Sequence, residues 1–433
     1  MSNAALPAHA RPPRAAPLRL SVAGAQRGVL WLFIVSGAFA SLEPSPYEIF
    51  FVLALLAFGV RGLSFDPSMI PLILGLALFN VGGVLALAPF IQDHDSATFI
   101  AISLYISDTA IFFAALIAKD PLERMRTIRS GYVAAGCIAS FFAIVGYFDI
   151  GGSGEHFTLY GRASGTFKDP NVLGSFLVPP LVWLTQDIML RRGGGLARRA
   201  LPLFVMLTAL LLTFSRGAWA VWAASTLLMV GLTFVTARSP ALRQRIVALS
   251  LVGLVGVLVL LALALSIPAV RDVFDIRASL SQDYDVGELG RFGAQLRSLP
   301  MLLDLPFGFG PLQFRNHFYG EDPHNVYLNA FASYGWIGGL SFAALTVAMV
   351  YLGWRLAFQR TPLQTQAIAV WSCLFIQILQ GFQIDTDHWR HLFLLIGVLF
   401  GLVAASRRFA ARQEGARDPR GDAPPPSAAI VRR

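Results

Sequence analysis

Charge is what this chain has least of. Only 14% of its 433 residues are Asp, Glu, Lys or Arg, roughly half the share a soluble globular domain carries. That scarcity excludes an ordinary water-soluble fold. Cysteine is nearly absent too. Cys137 and Cys373 are the only two, both inside apolar runs, which rules out a disulfide framework or a cysteine-based metal site. The short alternating segments of a membrane β-barrel are missing, as is an internal repeat relating two halves. The N-terminus also lacks the layout of a cleavable signal. An Ala-, Pro- and Arg-rich stretch containing Arg11, Arg14, Arg19 and Arg27 precedes the first apolar run, so the first span is expected to be a retained anchor.

What the chain has instead is apolar length. Hydrophobic residues make up 55% of it, in runs of about 20 residues that cross roughly 30 Å of hydrocarbon as helix. Lipid permits only helices or closed barrels to span it. The expectation is therefore an all-α polytopic membrane protein with about twelve transmembrane helices and one large loop. The expected spans are 28–41, 47–60, 68–90, 97–118, 131–149, 171–190, 200–214, 217–237, 246–268, 325–353, 363–384 and 390–406. This gives a cytoplasmic tail over 1–27, a transmembrane domain over 28–406 with its large loop at 269–324, and a disordered cytoplasmic tail over 407–433.

The charges divide the connections into two sets. Arg61, the Lys119–Arg129 group, Arg191 to Arg199, Arg238 to Arg245, and Arg355 with Arg360 fall on alternate connections. By the positive-inside bias they mark the cytoplasmic face. Three intervening connections are short and acidic: Glu43-Pro44-Ser45-Pro46, Gln92-Asp93-His94-Asp95 and Asp385-Thr386-Asp387-His388. Both termini are then cytoplasmic. The net charge of +9 reads as a topology signal and not as a nucleic-acid surface.

Four basic residues run against this bias. Arg162, Lys168, Arg216 and Arg291 fall on the outward side. Arg162 has Asp169 nearby and Arg291 has Glu288, so structural pairing is their plain alternative. Arg216 sits in the very short Thr213-Phe214-Ser215-Arg216-Gly217 joint without an acidic neighbour. An ionisable residue at that depth is a functional candidate. In the large loop, Leu289, Phe292, Leu296 and Leu299 recur at steps of three and four. They predict an amphipathic helix that ends near Pro300 and carries Arg291 and Gln295 on its polar side. Gly308-Phe309-Gly310-Pro311 predicts a tight turn. In Glu321-Asp322-Pro323-His324-Asn325-Val326-Tyr327-Leu328, Pro323 is expected to start the next helix with His324 in its first turn.

Guanidinium forks grip phosphate oxygens in pairs, and a histidine near neutrality takes a proton from a hydroxyl. Arginines plus one base suit glycosyl transfer from a lipid-linked diphosphate, with the arginines stabilising the leaving group. For His324 the plain alternative is a helix-start residue bonded to backbone or to Asp322. An Asp-rich cluster of metal-ligand spacing is missing from this face, although Asp385 and Asp387 form a weak pair.

Four motifs carry a family resemblance. They are Gly165-Thr166-Phe167-Lys168-Asp169-Pro170-Asn171, Phe214-Ser215-Arg216-Gly217, Gly308-Phe309-Gly310, and His324-Asn325-Val326-Tyr327-Leu328 followed by Tyr334-Gly335-Trp336-Ile337-Gly338. Over roughly residues 160–345 the chain resembles the bacterial O-antigen ligase and polymerase superfamily. The resemblance implies an inner-membrane enzyme of C-type glycosyltransferase architecture with its site facing the periplasm. It implies inverting transfer of a glycan from undecaprenyl diphosphate, without metal, nucleotide sugar or other cofactor. It further implies that Arg216 and Arg291 hold the diphosphate and that His324 serves the acceptor; Arg162, on the same face, is a further candidate for the diphosphate, with Asp322, Asn325, Tyr327, Asp169 and Lys168 as supporting candidates. The acceptor is lipid A–core in a ligase, or a second lipid-linked glycan in an O-antigen or exopolysaccharide polymerase. Membrane lipid is the surrounding partner. A polysaccharide transporter is the reading from another class, weakened because the ionisable residues cluster at one surface and not at the midplane.

Overall fold

The computed structural model describes residues 21–42, 45–59, 62–191, 195–277, 290–318 and 320–417. Among these, eight helices are long and apolar enough to cross a membrane: Pro67–Phe90, His94–Lys119, Pro121–Tyr147, Pro170–Leu190, Arg216–Thr236, Pro240–Leu265, Val326–Phe358 and Arg390–Ala411. Four shorter helices, Val22–Ser36, Pro46–Phe58, Leu196–Leu212 and Gln364–Gln380, occupy the remaining expected spans. In chain order the helices that matter below are α1 (Val22–Ser36), α2 (Pro46–Phe58), α3 (Ile70–Leu87), α4 (His94–Lys119), α5 (Pro121–Tyr147), α6 (Gly154–Phe157), α7 (Pro170–Leu190), α8 (Leu196–Leu212), α9 (Arg216–Thr236) and α10 (Pro240–Leu265). They continue with α11 (Pro268–Arg277), α12 (Arg291–Leu303), α13 (Phe314–His317), α14 (Val326–Phe358), α15 (Gln364–Gln380) and α16 (Arg390–Arg417). The fold is an all-α polytopic membrane protein. Its described strands are Thr158–Leu159 and Arg162–Ala163, which pair antiparallel through a Tyr160-Gly161 turn with both φ angles positive, as a two-residue hairpin requires.

Short polar side chains start the helices. Ser45, Asp93, Asp169, Ser215 and Asn325 each accept from a backbone N–H in the first turn of α2, α4, α7, α9 and α14, satisfying donors a helix start leaves open. At the opposite end, arginines close the connections. Arg27 pairs with Glu123 at 2.8 Å, Arg129 with Asp187 at 3.0 Å, and Arg245 donates to the carbonyl of Arg191 at 2.7 Å. Arg408 donates to the carbonyl of Ala118 at the end of α4. The basic set of the sequence thus gathers at one end of the bundle, where cations suit helix C-termini.

Helices α7 and α16 form the centre, with most side chains buried. Almost none of the apolar α10 is buried, the pattern of a helix facing hydrocarbon. Against α3, the backbone of α14 comes so close that a side chain on Gly82 would strike the carbonyl of Tyr334. At Gly335 α14 breaks, with φ +63° and ψ −169°, a conformation open to glycine. The freed amide of Trp336 donates to the carbonyl of Pro306 at 2.9 Å. Phe309 N, in the Gly308-Phe309-Gly310 turn, donates to Ala332 O at 2.8 Å. The turn and the Tyr334-Gly335 motif are two halves of one joint.

Several boundaries differ from the sequence reading. Helix α1 begins at Val22, because Ser21 caps it, so Arg27 is helical and outside the proposed tail. Helix α12 runs through Pro300 to Leu303. Pro300 leaves the carbonyl of Leu296 without its helical donor, and Leu296 is exposed, so one missing bond does not end the helix. Helix α16 continues past the expected limit at 406 to Arg417. The expected Arg291–Glu288 pair, residues 1–20 and residues 418–433 lie outside the described residues.

Candidate functional site

The connections that the charge pattern assigned to one face are tied together by hydrogen bonds. The α1–α2 connection donates to Thr166 O from Ala40 N (3.1 Å) and Ser41 N (3.0 Å). Ser96 at the start of α4 donates to Pro311 O at 2.8 Å. Arg162 donates from Nε to Thr213 O at 2.8 Å and from Nη2 to Asn171 Oδ1 at 2.8 Å. This cross-link fastens the hairpin and the head of α7 to the joint before α9. Arg162 is buried, which suits a brace.

The turn between α15 and α16, residues 381–389, gathers the rest. Asp385 accepts from His324 N at 2.8 Å through Oδ2 and from Asn325 N at 3.0 Å through Oδ1. These bonds hold His324 at φ +51°, a left-handed conformation that costs a non-glycine residue about 1–2 kcal/mol. His324 therefore precedes the helix. Asn325 is the N-cap of α14, its Oδ1 accepting from Tyr327 N (3.1 Å) and Leu328 N (3.2 Å). The expectation that Pro323 opens the helix is corrected. With the His324 and Asn325 amides committed to Asp385, the helix starts after the Asn325 cap. Gln295 reaches from α12 to Pro323 O at 2.7 Å, fixing the segment from the other side.

The His324 ring is half-buried, with Nδ1 2.8 Å from the carbonyl of Asp322. A carbonyl only accepts, so Nδ1 carries the proton. In the neutral ring Nε2 then keeps its lone pair, and among the described residues Nε2 has no hydrogen-bond partner. The arrangement is that of a base, able to take a proton at Nε2. The carboxylate of Asp322 is used elsewhere. It forms a two-pronged pair with Arg315, at 2.8 Å and 3.3 Å. Burial, then Asp387 and Asp322, push the Asp385 carboxyl well above the usual range, while the two amide donors pull it back. Part of its surface stays accessible, yet protein encloses the carboxyl on most sides.

Arg291 is the first residue of α12. Its Nη1 donates to Gln383 O at 3.4 Å, and its guanidinium lies over the Phe292 ring at 5.1 Å from the centroid. Arg216 is the first residue of α9, half-buried, directly after the left-handed Phe214 and the capping Ser215. Beside it, a methyl on Gly217 would lie 3.8 Å from Gln380 Nε2. Gln380 and Gln383 belong to one turn, in which Gln383 N donates to Gln380 O at 2.8 Å. The end of α15 thus adjoins the Arg216 joint, and the turn that follows bonds Arg291 and His324. Five helix starts, those of α2, α4, α7, α9 and α14, open toward this end, an arrangement favourable to negative charge.

Other sequence-selected residues have structural partners. Tyr327 donates to Ile378 O at 2.7 Å. Asp169 caps α7 by accepting from Asn171 N at 2.5 Å. Lys168 is exposed beside it. Asp387 accepts from Asn329 Nδ2 at 3.1 Å and lies 3.3 Å from His388 Nδ1. His388 Nε2 donates to Phe99 O at 2.9 Å. Burial opposes its charged form, but Asp387 and the Phe99 carbonyl outweigh that and raise its pKa above the ordinary value. The sequence reading treated Asp385 as half of a weak metal pair and passed over Gln380 and Gln383. The signal for the glutamines was there, since Gln377, Gln380 and Gln383 repeat at every third residue of an apolar span.

Residues 201–343 match the family model described as O-antigen ligase. The match runs from α8 into α14, so Arg216, Arg291, Asp322, His324, Asn325 and Tyr327 fall within it, whereas Arg162, Lys168, Asp169 and Asp385 fall outside. It bears out the resemblance to the O-antigen ligase and polymerase superfamily and supports a glycosyltransferase-like activity on lipid-linked glycans. No curated protein matches the chain.

Proposed function

We propose that this protein is a bacterial inner-membrane glycan transferase working at the periplasmic face, with both termini cytoplasmic. The donor is a glycan on undecaprenyl diphosphate, and the acceptor in the leading reading is lipid A–core, which makes the enzyme an O-antigen ligase. An acceptor hydroxyl attacks the anomeric carbon from the side opposite the diphosphate and inverts its configuration. The new C–O bond forms as the bond to the diphosphate breaks. The hydroxyl proton passes to His324 Nε2, and the departing diphosphate takes the electron pair. Arg216 and Arg291 meet the charge that builds on it, so positive charge at the leaving group comes from the chain itself. Arg162 holds the Arg216 joint in place. Asp322, through its carbonyl, and Asp385, through the amides, hold the base.

One observation carries this reading. His324 donates Nδ1–H to Asp322 O, which leaves Nε2 as a proton acceptor at a surface where the Arg216 joint adjoins the end of α15 and Arg291 bonds the turn that follows. A polymerase acting on a second lipid-linked glycan is the second reading, because the family match serves either acceptor. A deletion strain separates them. Loss of all capped core with accumulation of lipid-linked polymer marks a ligase. Capped core carrying single repeat units marks a polymerase. Complementation with His324→Ala should leave the deletion phenotype uncorrected although the protein inserts and binds donor. Normal glycan attachment with that variant would remove His324 from the reaction.

A further inference from the structure

A cavity lies at the same end of the bundle, walled by helices other than those that carry His324, Arg216 and Arg291. Its volume is about 300 Å³, and α1, α2, α4, α5, α7 and α16 supply its walls along with the α1–α2 connection, the segment before α7 and the α15–α16 turn. Aromatic rings dominate it. Tyr132 stacks on Phe176 with centroids 4.8 Å apart, Phe167 meets Phe176 at 4.8 Å, and Trp389 lies 5.1 Å from His391. Three lining side chains carry buried polar atoms with no hydrogen-bond partner among the described residues: Tyr47 Oη, Tyr132 Oη and His391 Nε2. Tyr132 is 2% exposed and His391 is 4% exposed. Buried polar atoms are almost always bonded, and leaving one unpaired costs about 1–3 kcal/mol. For Tyr132 and His391, a ligand hydroxyl in the cavity supplies the missing bond.

The wall also limits what that ligand is. Lys168, His388 and Arg390 line it; Lys168 is exposed, His388 lies between Asp387 and the Phe99 carbonyl, and Arg390 is already used. It donates to Tyr105 Oη (2.9 Å), Ser45 Oγ (3.1 Å) and Glu48 Oε1 (3.2 Å), and lies over the Tyr47 ring at 5.3 Å. Asp169 is held as the cap of α7. A paired guanidinium offers little to an anion. A hydroxyl and an imidazole in an aromatic slot suit a neutral ligand with flat C–H faces and hydroxyls at its edge. The volume sits at the small end of the range of roughly 300–1,000 Å³ found for ligand pockets. We infer that this cavity is a sugar-binding subsite that takes one neutral pyranose ring, stacked on Phe176 and Trp389 and hydrogen-bonded by Tyr132 and His391. The choice of a sugar among neutral ligands rests on the glycan-transfer reading above. The subsite gives the Gly165–Asn171 motif a task, since Phe167, Lys168 and Asp169 line it.

The test uses the full-length protein in lipid nanodiscs, with methyl α-glucopyranoside, methyl α-galactopyranoside and methyl α-mannopyranoside as probes in saturation-transfer NMR. At least one probe is expected to receive saturation. Tyr132→Phe keeps the ring and removes only the hydroxyl, so it should weaken that probe about five- to tenfold, the equivalent of one hydrogen bond. Its Tm should stay level or rise, since a buried unpaired hydroxyl is gone. His391→Phe should weaken binding similarly. If no probe receives saturation, or if both variants bind like the parent, the cavity holds only water and the proposal falls. His324→Ala separates this result from the transfer reading. If sugar binding survives in that variant while transfer also continues, the role of His324 fails and the subsite stands. If transfer stops but no probe binds, the subsite fails and the transfer reading stands.

Discussion

Removing the Asp385 side chain should cripple the enzyme by a bounded amount, and the bound follows from the geometry. Asp385 accepts from two consecutive amides, His324 N at 2.8 Å and Asn325 N at 3.0 Å. Burial and the nearby Asp387 and Asp322 favour the neutral carboxyl, so each bond counts at ordinary strength, about 1.5 kcal/mol. Together they contribute about 3 kcal/mol. Against them stands the left-handed backbone of His324, at about 1–2 kcal/mol. With Asp385 present, the observed conformation wins by about 1–2 kcal/mol. In Asp385→Ala it loses by about the same, and the competent fraction falls to roughly 3–15%. Transfer should therefore drop about six- to thirtyfold, with donor affinity nearly unchanged. The assay is transfer by purified protein in nanodiscs at equal amounts, from a lipid-linked donor, read on gels. Parental activity in Asp385→Ala would show that the held conformation is not needed. A loss of about a thousandfold or more, in the range of removing a general base, would show that Asp385 takes part in the chemistry itself.

Other perturbations test other parts of the argument. Arg216→Lys keeps the charge but loses the fork, so transfer should fall clearly, and full activity would reduce Arg216 to a topological role. Gly335→Ala puts a methyl 2.6 Å from Pro306 O at φ +63°, and its Tm in detergent should fall, by about 2–4 kcal/mol of stability. Gly231→Ala, where the added methyl meets nothing within 4 Å, should be neutral or stabilising, and an equal loss at both sites would refute the packing account. The raised pKa of Asp385 means the folded state holds its proton more tightly than the unfolded chain. Its contribution is complete below the unfolded carboxylate pKa and is lost as pH rises toward the folded value. Asp385→Asn should flatten that part of the Tm–pH curve, and an unchanged curve would show that Asp385 is not the titrating group.

The twelve apolar spans and the two-faced charge pattern were legible because hydrophobic length and arginine placement are local properties of the sequence. Each expected span falls on a helix, with ends shifted by caps such as Ser21. The joint between Gly308-Phe309-Gly310 and Gly335 was half legible. Glycine marked both pieces, yet nothing in the sequence says that Trp336 N donates to Pro306 O. The same limit explains His324. Asp322-Pro323-His324 reads as a helix start until Asp385, sixty-one residues away, takes the amide of His324.

That long-range bond also changes what the histidine is. In the first turn of a helix, its backbone amide would need nothing from the rest of the protein, and the ring would follow the helix. Outside the helix and left-handed, His324 keeps its place only while three separate elements agree. Asp385 of the α15–α16 turn holds its amide, Gln295 of α12 holds Pro323 O, and the Asp322 carbonyl holds Nδ1. Arg291 opens α12 and bonds the α15–α16 turn directly through Gln383. Any ligand that draws Arg291 inward must load the same two elements that fix His324. The cation and the base are therefore coupled through α12 and the turn, so Gln295→Ala should lower transfer without touching either partner's chemistry. Since Gln295 contributes a single neutral hydrogen bond, counted like those of Asp385 at about 1.5 kcal/mol, against a margin of about 1–2 kcal/mol, the expected loss is about 1.5- to threefold, measured in the same nanodisc assay. A loss confined to donor affinity, with turnover intact, would break the proposed coupling between Arg291 and His324.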